Sequence, residues 1–266
     1  MGYGDEIMAL GRAEIVYKVL GSPVAIYGVS GRPRHDDLWI GNPAVDKNSE
    51  IKILDGPSAR PYIIRWVRDG GLRIIYNLKY RAHAGHIFLS DEEKEKAADL
   101  TPQEPFGLIE PHVRKGSSVN KAYGFDRWAK AIKDLPIQLY QFTFTGEKTR
   151  LLPGVKPISA PDIRISVGIA TSARIILCSD TSLNHIAASV GVPAVVIFGG
   201  FSDPLITGYK SNINFYISGG ESPCGNYRPC DHCKRAMAMI KPEDVREAAL
   251  KIIEGGNRNA DNGCEG

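Results

Sequence analysis

Ser179-Asp180-Thr181-Ser182 follow the apolar run Ile175 to Cys178 and precede a small, mostly apolar run ending at Gly191. Hydroxyls, a carboxylate and free backbone N–H groups thus collect where a strand hands over to a helix. Such a helix N-terminus attracts anions through its unpaired N–H groups and its dipole. A second apolar run, Pro193 to Phe198, closes on Gly199-Gly200. Strand, helix and strand in succession imply parallel neighbours with a ligand outside their carboxyl ends. The layout is that of a nucleotide-phosphate site, with Gly199 and Gly200 allowing close backbone approach and Asp203-Pro204 with Thr207-Gly208-Tyr209 at its lip.

The chain has five cysteines, and three of them crowd into a C-x5-C-x2-C arrangement at Cys224, Cys230 and Cys233. Such clustering favours metal or redox chemistry over a disulfide framework. Three thiolates leave one position of a tetrahedral Zn or Fe site open. Candidates for it are Cys178, which ends the strand before the Asp180 turn; His232, awkwardly placed between two cysteines; and Cys264, in the tail. A structural metal is expected here rather than a catalytic one.

Asp180-Thr181-Ser182-Leu183-Asn184-His185-Ile186-Ala187-Ala188, then Gly191-Val192-Pro193 and the Phe-Gly-Gly-Phe-Ser-Asp-Pro loop at 198–204, resemble the carboxyl-half signature of the heptosyltransferases. Gly4-Asp5-Glu6-Ile7-Met8-Ala9 and Asn120-Lys121-Ala122-Tyr123-Gly124 match in the same order. The cysteine cluster is similar to the metal finger of the heptosyltransferases that modify bacterial autotransporters. The resemblance implies an α/β chain of GT-B type, with two Rossmann-like domains of which the N-terminal one is reduced. It implies an inverting glycosyltransferase that takes a sugar, heptose being one option, from a nucleoside-diphosphate sugar, an ADP-sugar favoured, to a hydroxyl on a glycan, lipid-linked sugar or protein. A divalent cation is not expected in catalysis. The family places a buried strand directly before its Gly-Asp motif, whereas this chain begins at that motif, so either residues lie upstream or the sheet is completed differently. The competing readings are a sugar-nucleotide epimerase and a non-catalytic, metal-stabilised GT-B-like binding module.

Inverting transfer needs a base for the acceptor hydroxyl and a cationic or N–H cradle for the departing diphosphate. By the resemblance Asp5 stands where the catalytic carboxylate belongs; read alone, it is an N-cap. Lys121 can reach diphosphate oxygens as a mobile charge, with Arg114 and Lys115 nearby, or can be a solvated surface lysine. Thr181, Ser182 and Leu183 would offer backbone N–H groups to the donor. His185 faces the same helix end, or is a satisfied core histidine. Asp180 is expected either to cap the helix or to touch the donor sugar, capping being the safer assignment because its charge would repel a diphosphate placed too close. Arg32, Arg34, His35, Asp36 and Asp37 form an acceptor loop or a solvated one.

The elements that must hold these residues follow from the apolar pattern. With 266 residues there is room for two domains, taken as 1–100 and 106–256, with 257–266 a disordered tail. An apolar fraction of 43% and a net charge of +3 suit a globular protein and give no argument for a nucleic-acid or membrane partner. No transmembrane run or signal peptide is visible, so a cytoplasmic location is expected. The first half reads as a helix, Asp5 to Val19, a strand, Val24 to Tyr27, and short apolar pieces near 38–40, 51–54, 61–67 and 72–78. A capping box at Ser90 and Glu93 starts the helix to Leu100. Strands at 106–109 and 137–142 and helices at 124–135 and 161–173 then lead into the Asp180 unit, and a helix from Pro242 stops near Gly255-Gly256.

Overall fold

The computed structural model describes residues 2–28, 30–56, 59–68, 71–114, 116–143 and 149–261. Helix α1 (Tyr3–Leu20) leads into strands β1 (Ala25–Gly28) and β2 (Lys52–Asp55), which pair in parallel, and then into the antiparallel hairpin β3 (Tyr62–Trp66) and β4 (Leu72–Tyr76). Helix α2 (Asp91–Leu100) opens with the expected capping box, Ser90 Oγ accepting from the Glu93 N–H while the Glu93 carboxylate accepts from the Ser90 N–H.

The second half is a strict winding of β5 (Phe106–Glu110), α3 (Phe125–Ala131), β6 (Gln138–Thr143), β7 (Lys156–Ser159), α4 (Ile163–Thr171), β8 (Ile175–Ser179), α5 (Ser182–Val190) and β9 (Ala194–Gly199). A short turn of helix, α6 (Pro204–Thr207), precedes β10 (Ile213–Tyr216), α7 (Asp231–Met239) and α8 (Pro242–Asp261). All six strands are parallel, in the order β10-β9-β8-β5-β6-β7. Counted from β5 this is 6-5-4-1-2-3, the doubly wound order, whose direction reverses between β5 and β8. That reversal opens a crevice at the carboxyl ends of β5 and β8.

Along β8, alternate residues serve opposite faces. Ile176 and Cys178 pack with α4 and α5, while Ile175 and Leu177 pack with α3, α7 and α8. A strand buried on both faces reads as a continuous apolar run, which is why it was legible in sequence. The first of these cores continues past α4 and α5 into Ile7, Leu10, Ile26, Leu38 and Trp39, so the first half packs directly on the helices of the second. Gly4 and Gly168 permit this, since a Cβ on Gly4 would fall 2.4 Å from the His185 ring and one on Gly168 2.5 Å from the Ala97 side chain.

Several boundaries differ from expectation. Helix α1 starts at Tyr3, ahead of Asp5; α3 stops at Ala131, ahead of Leu135; and α8 continues through Gly255-Gly256 to Asp261, so 257–261 are helical, while the rest of the tail expected to be disordered, 262–266, lies outside the described residues. Strands β7 and β10 and helix α7 went unread. Both strands are short edges of the sheet, and β7 carries Pro157, which an edge tolerates and a central strand does not. The apolar triplet at 38–40 forms a 3-10 turn, Asp37–Trp39, capped by the Asp36 carboxylate.

Candidate active site

A cleft of about 1550 Å³ lies over the β5–β8 reversal. Its walls come from the start of α1 (Gly4, Asp5), the hairpin (Tyr62, Tyr76), the loop after β5 (Glu110, Arg114, Lys121) and the start of α5 (Asp180, Thr181, Ser182, His185). The residues expected to do chemistry are thus brought together from three distant parts of the chain.

Asp5 occupies the first turn of α1, two residues inside the helix, so it is not the N-cap. One carboxylate oxygen accepts from the Gly2 N–H at 3.2 Å and the other from the Tyr62 hydroxyl at 2.8 Å. Burial and the Asp5 charge drive the Tyr62 phenol pKa far upward, so Tyr62 acts as a donor throughout the physiological range. Gly4 lets α1 approach α5: a Cβ there would sit 2.4 Å from the His185 ring.

The neighbouring Glu6 is buried, and burial raises its pKa to about 7 even though the Arg34 guanidinium opposes the shift. Arg34 bridges Glu6 and Asp55, Arg60 joins Asp55 at 2.9 Å, and the Arg34 guanidinium lies 5.4 Å from the centre of the Trp39 ring. Arg34 therefore clamps α1 to β2; Arg32 and His35 are exposed.

Asp180 does not cap α5. Thr181 holds the N-cap position, without a side-chain capping bond, while the buried Asp180 carboxylate accepts from Lys121 Nζ at 2.9 Å and Ser202 Oγ at 2.6 Å. Burial alone would favour the protonated acid, but Lys121, His185 and Ser202 together outweigh it and lower the pKa. Lys121 Nζ also donates to the Asp180 carbonyl at 3.1 Å. An ammonium has three donors; two serve Asp180, and among the described residues no hydrogen bond engages the third, on a side chain that lines the cleft. Thr181 and Ser182 line the cleft beside it, whereas the Leu183 side chain is in the core, leaving only its backbone to face a ligand. His185 is buried with its Nδ1 2.7 Å from the Tyr209 hydroxyl, and burial lowers its pKa, so it is neutral near pH 7.

Gly199 and Gly200 point away from the cleft. A Cβ on Gly199 would lie 2.6 Å from Met237, and one on Gly200 2.8 Å from His232 and Ser222. The close approach seen here is that of α7 to the end of β9, and neither glycine is among the residues that line the cleft.

Beyond α7, the Sγ atoms of Cys224, Cys230 and Cys233 all lie within 4.8 Å of one another, with Cys224 and Cys230 at 3.6 Å. Two thiolates on a tetrahedral Zn, each at about 2.3 Å, stand about 3.8 Å apart, so the donor set fits a metal. The hydrogen bond from Cys233 brings the Cys224 thiol down to about 5, ready to be a thiolate, and the same bond pushes Cys233 upward. Cys178 does not join them: it is wholly buried in the sheet core on β8, where burial pushes its thiol upward. His232 is turned to Ser222, with Nε2 at 2.9 Å from its Oγ. Among the described residues no fourth Cys, His, Asp or Glu completes the set, and Cys264, like Lys115, lies outside them.

Tyr62, Glu6, Glu110 and Ser202 were missed in the sequence. Tyr62 stands 57 residues from Asp5 in a short strand with no motif around it. Glu110, whose carboxyl pKa burial raises, ends β5 at the reversal, and its position there was the one signal available. Among the described residues no helix is long and apolar enough to cross a membrane.

Residues 163–233, from α4 to the last cysteine of the cluster, match the family model of glycosyltransferase family 9 (heptosyltransferase). No curated protein sequence matches the chain. Among solved structures it is similar to a family 9 glycosyl transferase from Veillonella parvula, at TM-score 0.63 and 14% identity, covering 96% of this chain and 95% of that one. It is also similar to the dodecameric iron-containing heptosyltransferase TibC, solved with ADP-D-beta-D-heptose, at TM-score 0.50 and 16% identity; 66% of this chain is covered, and it spans half of TibC. The resemblance carried by the Asp180 signature is thus found again in the family model and in the fold: the chain has a GT-B-like α/β architecture similar to that of a family 9 glycosyltransferase, with the heptosyltransferase family model matching residues 163–233.

Proposed function

We propose that the chain is an inverting glycosyltransferase that moves a sugar from a nucleoside diphosphate to a hydroxyl acceptor. The observation that carries this reading is the convergence of Asp5, Lys121 and the start of α5 on one cleft at the β5–β8 reversal. The diphosphate sits at the α5 N-terminus, on the Thr181, Ser182 and Leu183 backbone, with the third donor of Lys121 on its oxygens. As the glycosidic bond breaks, negative charge grows on the leaving diphosphate, and the Lys121 ammonium and helix dipole stabilise it without a divalent cation. Asp5, held by Gly2 and Tyr62 at the opposite wall, takes the proton from the acceptor hydroxyl as its oxygen attacks the anomeric carbon. Attack and departure on opposite sides of that carbon invert it.

An ADP-sugar is the favoured donor, supported by the family match and by the ADP-heptose in the TibC structure. Cys224, Cys230 and Cys233 would hold a structural Zn or Fe that cross-links their loop. Reduced thiols and a nucleotide-sugar donor fit a cytoplasmic location.

ADP release from ADP-heptose, with water as the default acceptor, tests the proposal. The wild type should release ADP, and Asp5→Asn should lower the rate by at least about 10²-fold. Equal release by both would overturn the role of Asp5. Conversion of the donor to an epimer without ADP release would identify an epimerase, and binding without consumption a binding module.

A further inference from the structure

The cysteine loop touches both walls of the cleft. On one side it adds to the hairpin: the Ile74 N–H donates to the Gly225 carbonyl at 2.8 Å and the Tyr227 N–H to the Leu72 carbonyl at 3.0 Å. Gly225 is essential to that docking, since it has φ 62° and a Cβ there would lie 2.1 Å from the Ile74 carbonyl oxygen. The hairpin so held carries Tyr62, which donates to Asp5.

On the other side the loop is tied to the 3-10 turn Val119–Lys121 by one buried amide. Asn120 Nδ2 donates to the carbonyls of Asn226 (2.7 Å) and Arg228 (2.8 Å), while its Oδ1 accepts from the Cys230 N–H at 3.2 Å. Ser118 Oγ adds a bond to the Asn226 carbonyl at 3.1 Å. Asn120 is not part of the cleft wall, so it has no route to a ligand of its own. Its neighbour Lys121 lines that wall together with Arg114, and the Lys121 ammonium lies 5.6 Å from the centre of the Phe201 ring, which packs with Cys224 and Cys233.

We infer that Asn120 is a positioning residue through which the cysteine loop sets the place of Lys121 in the nucleotide site. The inference rests on the proposed role of Lys121 at the diphosphate. The amide spends both donors and its acceptor on the loop, so the loop anchors the turn that carries Lys121 beyond what the Ser118 cap does locally. A merely structural Asn120 would add to any other lesion; a positioning one acts only while Lys121 is present to be positioned.

A double-mutant cycle read by calorimetric titration with ADP separates the two. Lys121→Ala and Asn120→Ala should each weaken ADP binding about tenfold, and the Asn120→Ala effect should vanish in the Lys121→Ala background. Asn120→Asp is the second variant, keeping the acceptor for the Cys230 N–H while losing both donated bonds; it should weaken ADP in the same way, with melting temperature recorded for each protein. If Lys121→Ala weakens ADP binding while Asn120→Ala and Asn120→Asp leave it unchanged, or if the effects simply add, the inference falls and the functional reading stands. If Lys121→Ala leaves ADP binding unchanged, the role of Lys121 fails and takes the inference with it.

Discussion

Asp5 and Lys121 both line the cleft with their partners already in place, one held by a neutral phenol and an N–H, the other by a buried carboxylate. Gly4 lets α1 approach α5. Gly4→Ala puts a methyl group 2.4 Å from the His185 ring, and we expect a loss of about 1–3 kcal/mol, read as a lower melting temperature, from the overpacking. Glu6 gives a pH signature. Its folded pKa of about 7 lies above the ordinary 4.5, so between those values the folded state binds more protons than the unfolded one, and stability falls as pH rises through that window. Glu6→Gln should remove that component of the melting-temperature slope between pH 4.5 and 7; an unchanged slope would show that Glu6 is ionised throughout.

At the scale of elements, the second half was legible because parallel strands buried on both faces and capped helices leave dense local signals. The Asp180 turn, Thr181, Ser182 and His185 were all found from contiguous residues and all line the cleft. What was not legible came from partners far apart in the chain. Nothing around Asp180 announces that Lys121 and Ser202 will claim its carboxylate, and a Gly-Gly pair signals close approach without naming the neighbour, which proved to be α7. Helix α2 is tied to α4 in the same non-local way: Arg164, buried, holds the Glu93 carboxylate at 2.5 and 2.8 Å and the Phe88 and Asp37 carbonyls. The Arg164 hydrogen bond, against a small burial penalty, pulls Glu93 down to about 2. Its stabilisation is complete above the ordinary value of 4.5 and is lost as pH falls through about 2. Glu93→Gln should cost about 2 kcal/mol at neutral pH and flatten the acid limb of the stability curve. A wild-type acid limb in the variant would count against the pairing.

Across the whole molecule, one apolar core runs from Ile7 and Leu10 of α1 through α4 and α5 to β8 and β9. The two halves of the chain share the surface that an independent second half would need to cover, so a single cooperative unfolding transition is expected by calorimetry, with two separated transitions as the contrary result. The cysteine loop adds a second tie, joining the hairpin of the first half to the 3-10 turn of the second. Chelation of any metal held by Cys224, Cys230 and Cys233 should therefore lower the melting temperature, checked against a Cys230→Ser variant that should be insensitive to the chelator. Whether the cleft is a nucleoside-diphosphate site is tested by titrating the protein with ADP, UDP and GDP and repeating the titration on Ser182→Pro, which removes one N–H from the start of α5 while keeping a residue the first helical position tolerates. ADP alone of the three should bind at micromolar affinity, and the variant should bind it more weakly with its fold intact. Absence of binding by all three nucleotides would contradict this assignment of the cleft.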